Sequence, residues 1–233
     1  MWDPSAILSS ARESLMRTDS QLGAQQAVRG LDSLKEISLH PIVEHGLTDL
    51  GLGVHREIPY PSANEFVPKN SARKRCDLVV TPKPDMEIFD PIGEQKLIEM
   101  AAGTLFSEVA HELSPQRVGV DPSDCYWIEI KSIAQFAYVD GVPGANSAYA
   151  RELLKGPMSD IAKLASDPGI WHAAMLVILF GEDDSVIEHD ITQLVHECLN
   201  QELPVGVPLI ESFGITDRAG NARCGIGLIP IRL

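Results

Sequence analysis

RKRCDLVV at residues 73–80 and CYWIEIKS at residues 125–132 decide how this chain is read. Both are apolar runs of strand length that also carry charge. The first holds Asp77. The second holds Glu129 and Lys131, two apart, among Trp127, Ile128 and Ile130. Strand side chains alternate faces, so Glu129 and Lys131 point the same way. A buried strand rarely accepts an unpaired carboxylate, because stripping its hydration is costly. If the Asp77 strand lies next to the Glu129 strand, two carboxylates and one ammonium converge at one sheet edge. Hard oxygen ligands so placed suit a divalent cation acting on a phosphodiester. A plainer reading fits the same letters: Glu129 and Lys131 as an exposed charge pair on an edge strand, with Asp77 beside a turn.

Working outward, residues 4–17, 20–35 and 38–50 read as helices, with Asp19 or Ser20 as the cap of the second and Gly51 and Gly53 ending the third. A strand is expected at 54–60 and a polar loop at 62–70. After the Asp77 strand, a helix at 93–113 and a Pro/Gly loop at 114–124 interrupt the sheet. The Glu129 strand is followed by a Gly/Pro turn region at 140–146. Helix 147–155 is broken or restarted at Gly156-Pro157. Residues 171–180 read as a buried strand and 187–203 as a helix. Strands at 207–216 and 222–232 form a C-terminal hairpin. This predicts one α/β domain over 1–233: a mixed central sheet flanked by helices. It has N-terminal helices at 1–37, a helical insertion at 82–124 and a C-terminal β-hairpin at 204–233.

Composition bounds the function. At 233 residues one domain buries a substantial core, and the longest apolar run, 173–180, is too short to span a bilayer. The N-terminus shows no basic-then-apolar leader, and Cys76, Cys125, Cys198 and Cys224 form no CxxC pair. Reduced core thiols in a cytoplasmic protein without a membrane are the expectation. The net charge of −14 argues against a free-standing nucleic-acid binder. That charge is concentrated, however. Residues 82–124 hold nine acids and three bases, and 182–202 hold seven acids and no base. Both read as solvated acidic faces. Positive charge gathers near the candidate site, at Lys69, Arg73, Lys74, Arg75, Lys131, Arg151, Lys155 and Lys163.

A helix, then VHREIPYP, RKRCDLVV and WIEIK, then a helix ending DIAKL, resembles the PD-(D/E)XK, or restriction-endonuclease-like, nuclease superfamily over residues 38–180. The resemblance implies a restriction-endonuclease-like core. It assigns Asp77 as the first acid, Glu129 as the second and Lys131 as the lysine. It adds a glutamate from the first core helix, for which Glu44 is the candidate and Glu36 the alternative. Cys76 stands where the family name places proline. The 51 residues between Asp77 and Glu129 exceed the usual spacing, hence the insertion. Asp77, Glu129 and the Ile130 carbonyl are then expected to hold Mg²⁺ or Mn²⁺. Lys131 is expected to position or deprotonate water, or to stabilise the developing phosphorane.

Arg73, Lys74, Arg75, Arg151 and Lys155 are the candidate DNA contacts, with Arg151 and Lys155 one helical turn apart. A solvated helix face explains the last two equally well. Glu57 either faces the site or pairs with a neighbouring base, and pairing is favoured. Trp127 and Trp171 read as core. The seven histidines form no HExxH pattern, and the glycines of GLG at Gly51 and GIG at Gly225 read as turn or strand glycines. The leading expectation is a metal-dependent DNA endonuclease that binds DNA weakly alone. The alternative is a non-catalytic binding or assembly protein on a nuclease-like fold, whose acidic surfaces dock a basic partner. The apolar side of the insertion helix needs cover from the domain body or from a second copy of the chain.

Overall fold

The structure is a computed structural model and describes residues 2–62, 73–102 and 119–232. Its centre is AAMLVILFG, strand β6 (Ala173–Gly181), all nine residues of which are buried. Such an uninterrupted apolar run needs cover on both faces and a neighbour on both edges. Strand β3 (Tyr126–Ala134) pairs with it in parallel and β8 (Arg223–Ile231) antiparallel. Strands β1 (Gly53–Pro59), β2 (Arg75–Thr81) and β7 (Leu209–Gly214) complete a six-stranded mixed sheet in the order β1-β2-β3-β6-β8-β7. The chain is an α/β protein with this sheet packed between helices.

Helices α1 (Pro4–Ala24) and α2 (Glu36–Asp49) bury Leu8, Leu15, Leu39, Val43 and Leu47 against Leu78, Val80, Ile128, Ile130 and Leu176. On the other face, α4 (Tyr149–Ala165) and α5 (Asp184–Asn200) bury Ile161, Leu164, Ile187 and Ile191 against Val79, Trp127, Met175 and Val177. Between β2 and β3 lies the insertion, with α3 (Pro91–Ala102). A parallel bridge between Ile88 and Val120 closes its base. The part of the expected insertion helix beyond residue 102, and the expected loop from residue 63 with Lys69, lie outside the described residues. Among the described residues, no helix is long and apolar enough to cross a membrane.

Several local expectations are corrected. Asp19 caps no second helix. It lies inside α1, buried, and its Oδ2 accepts from the Thr216 amide across the domain. Residues 25–35 instead turn through a short 3₁₀ segment at Leu31–Ser33. Helix α4 runs unbroken through Gly156 and Pro157. The expected turn region is in part a separate hairpin, β4 (Phe136–Val139) with β5 (Val142–Ala145). Trp127 is fully buried and donates from Nε1 to the Pro122 carbonyl, whereas Trp171 precedes β6 and is 65% exposed.

The GIG glycines serve helix packing. A Cβ on Gly225 would collide with Ile187 Cγ2, and one on Gly227 would come within 3.0 Å of Ile191 Cδ1 and Cγ2. Ile187 and Ile191 stand one turn apart on α5, so two bare positions on β8 receive two helix knobs. Gly225→Ala should therefore destabilise the fold by ~1–3 kcal/mol through overpacking. Urea unfolding measures this, and an unchanged midpoint would contradict the close seat of α5.

Candidate active site at the fork between β2 and β3

The ladder between β2 and β3 pairs Val80 with Tyr126, Val79 with Trp127 and Leu78 with Ile128, and ends there. Continued one step, it would set Asp77 opposite Glu129. Between β1 and β2, Arg56 pairs with Leu78 and Ile58 with Cys76, and the intervening Glu57–Asp77 step makes no ladder pair. One cross-strand row therefore runs Glu57, Asp77, Glu129, and the pairing lapses at that row on both sides of Asp77. The Asp77 carboxylate takes up the freed donor: its Oδ2 accepts from the Ile130 amide at 2.8 Å.

Glu129 is 2% exposed. It stands across the open step from Asp77, close enough for the Asp77 charge to act on it, and accepts from Tyr60 Oη at 2.6 Å. Burial and then the Asp77 charge push its carboxyl up to about 8; the Tyr60 hydrogen bond works the other way. Tyr60 is set in place by Arg73, whose guanidinium donates to the Tyr60 carbonyl and pairs with both Asp90 oxygens at 2.8 and 3.1 Å. The Tyr60 phenol is itself pushed far above its ordinary range, by burial first and then by the nearby Cys76 and Glu129.

Lys131 extends to a different set of acids. Its Nζ lies 2.9 Å from Asp160 Oδ2, 3.1 Å from Glu36 Oε1 and 3.2 Å from the Ile130 carbonyl. Gly156 of α4 lies against its stem, where a Cβ would stand 3.5 Å from Cδ. Burial works to lower the pKa of this ammonium, but the hydrogen bond and charge of Asp160 and the charge of Glu36 outweigh it and raise the value. Asp160 also binds Lys163 at 2.5 Å, and Lys163 reaches Glu129 at 3.4 Å. A chain of acids and ammoniums in alternation thus runs from Glu36 through Lys131, Asp160 and Lys163 to Glu129.

Of the residues singled out in the sequence, Asp77, Glu129, Lys131 and the Ile130 backbone meet at this fork. Glu44 does not join them: two turns along α2 from Glu36, it pairs with Arg56 at 3.1 Å. Glu36 is the helix glutamate that reaches the strand, its Oε2 accepting from the Ser132 amide at 3.1 Å. Arg73 is turned inward, its side chain 6% exposed and both terminal nitrogens engaged by Asp90 and the Tyr60 carbonyl, so it is no surface phosphate contact. Arg75 donates to the Glu57 backbone carbonyl at 2.6 Å, and among the described residues the Glu57 carboxylate makes no ion pair with a neighbouring Arg or Lys, the pairing favoured for it. Lys74 is exposed. Arg151 and Lys155 are exposed on α4 and line, with Lys131, Ser132 and Glu36, an open groove of ≈ 510 Å³.

Sequence reasoning missed Tyr60, Asp160 and His40 as members of this region. The signal for Asp160 was present in DIAKL, where Asp160 and Lys163 flank the buried Ile161. His40, on α2 between Glu36 and Glu44, has ligand atoms within 4.8 Å of those of Glu57 and Asp77.

The raised Glu129 value sets a pH dependence. A carboxyl whose folded value lies above its unfolded value of 4.5 favours folding fully below 4.5, and that contribution is lost as pH rises toward and through about 8. Wild-type stability relative to Glu129→Gln should fall across this window at up to ~1.4 kcal/mol per pH unit. Urea unfolding of both proteins at intervals from pH 5 to 9 reads the slope, and parallel curves would contradict a protonated Glu129.

No protein-family model, no curated protein and no solved structure gives a significant match to this chain.

Proposed function

We propose that the chain is a metal-dependent phosphodiester hydrolase acting on DNA. The observation that carries this is the juxtaposition of half-buried Asp77 with buried Glu129 where the ladder lapses, with Lys131 two residues on. Two carboxylates so placed repel each other unless a proton or a cation lies between them. Their oxygens, with the neighbouring Ile130 carbonyl, make the hard donor set that Mg²⁺ or Mn²⁺ takes. When bound, the ion would supply Lewis acidity and an activated water.

The protein's own groups would do the rest. Lys131, held charged by Asp160 and Glu36, is a hydrogen-bond donor and a fixed positive charge for a developing phosphorane. Its raised pKa disfavours a role as general base. Tyr60 orients Glu129 through its hydroxyl. Arg151 and Lys155, on the groove beside Lys131, suit backbone phosphates. The order of helix, two strands, insertion, strand, helix and strand supports the resemblance to restriction-endonuclease-like nucleases. The acidic surface of α5, which packs beside α4 on the same face of the sheet, would make binding weak and salt-sensitive. That same surface favours the second reading, an assembly protein that docks a basic partner.

Nicking of supercoiled DNA in low salt with Mn²⁺ or Mg²⁺ separates the two. Asp77→Asn and Glu129→Gln should each lower the rate on the order of 10²-fold or more while the proteins stay folded. Lys131→Ala should abolish nicking and leave calorimetric metal binding in place. A folded wild-type protein that neither binds metal nor nicks DNA would favour the assembly reading, and nicking that survives Asp77→Asn would exclude this site.

A further inference from the structure

His40 is 3% exposed, and neither of its ring nitrogens has a hydrogen-bond partner among the described residues. An imidazole carries one donor and one acceptor, and burying both without partners is costly. Its ligand atom lies within 4.8 Å of those of Glu57 and Asp77. Metal–ligand bonds of ~2.0–2.6 Å bridge atoms roughly 4–5 Å apart, so one ion fits this span. Glu57 brings the carboxylate on the far side of Asp77 from Glu129. It is a non-glycine residue with φ 56°, inside a strand, and Arg75 fixes that conformation through its carbonyl. Left-handed backbone at such a residue persists where its surroundings over-determine it. Here a Glu57 carboxylate oxygen comes within 4.8 Å of a nitrogen of buried His40 and of an Asp77 oxygen.

We propose that His40, Glu57 and Asp77 form a second cation position, selective for a first-row divalent transition-metal ion over Mg²⁺. Asp77 is shared between this position and the Asp77–Glu129 pair, because the cross-strand row sets Glu57 on one side of it and Glu129 on the other. The shared-carboxylate arrangement rests on the phosphodiesterase reading above, whereas the His40 position requires only its own three ligands. Selectivity follows from the ligand set. Mg²⁺ keeps water and oxygen ligands, whereas an imidazole ligand favours first-row divalent ions in the order in which Mn²⁺ binds least tightly and Fe²⁺, Ni²⁺, Cu²⁺ and Zn²⁺ more so. Two ions sharing a carboxylate stand ~3.5–4 Å apart, the separation that clamps both oxygens of an in-line displacement.

The test is pulsed EPR on the full chain loaded with Mn²⁺ alone, which detects nitrogen-14 coupling from a coordinated imidazole. Wild-type protein should show that coupling and keep it in excess Mg²⁺. His40→Leu should remove it and weaken Mn²⁺ binding by about tenfold or more, on the scale at which ligand-shell changes act. Glu57→Gln, at an exposed position that leaves the α2 packing untouched, should weaken binding similarly, with circular dichroism reporting an intact fold. Glu129→Gln should keep the nitrogen coupling. Bound Mn²⁺ without nitrogen coupling, coupling that survives His40→Leu, or no bound Mn²⁺ overturns the proposal. Nitrogen-coupled Mn²⁺ in a protein that does not nick DNA keeps this site and removes the phosphodiesterase reading.

Discussion

The juxtaposition of Asp77 with Glu129 organises this end of the sheet. Like charges in a buried place are costly to hold together, and the surrounding groups bear the marks of that cost. Strand pairing stops one step short of the two acids. The Ile130 amide turns to the Asp77 side chain, and the Tyr60 hydroxyl turns to Glu129. Arg73 gives up its exposure to hold Tyr60 in place. These adjustments would serve no purpose around an aliphatic pair, for which an unbroken ladder suffices.

Positive charge is fixed around the acids without touching both of them. Lys163 reaches Glu129, and Lys131 stays clamped between Asp160 and Glu36. Both ammoniums have values held above the ordinary lysine range despite burial, which by itself acts to lower them. Each therefore remains a cation at neutral pH. Lys131 is shared between helices from opposite faces of the sheet, because α2 supplies Glu36 and α4 supplies Asp160. The side chain that the chemistry needs is thereby also a tie between the two helical layers.

Much of this was legible because it was written in alternation and apolar runs. The nine-residue stretch at β6, the Asp77 strand and the WIEIK strand announce a covered mixed sheet, and Glu129 and Lys131 share a face by spacing alone. What stayed hidden depends on registers that one sequence does not state. Glu36, His40 and Glu44 lie at four-residue spacing on one helix, and only the packing of α2 decides that Glu36 meets Lys131 while Glu44 meets Arg56. Arg73 looks like a surface base until Asp90 and the Tyr60 carbonyl are placed beside it. Asp19 looks like a cap, since aspartate favours caps, but its partner is almost two hundred residues away at Thr216. The β4–β5 hairpin carries Pro143 and Gly144 and so reads as a turn, although its edge-strand position tolerates both.

A manganese anomalous difference map from crystals soaked in Mn²⁺ tests the fork as a cation site most directly. It should carry a peak bound by the Asp77 carboxylate together with Glu129 and the Ile130 carbonyl. A map whose peaks lie only on the acidic surface of α5, with no ion between Asp77 and Glu129, would contradict it.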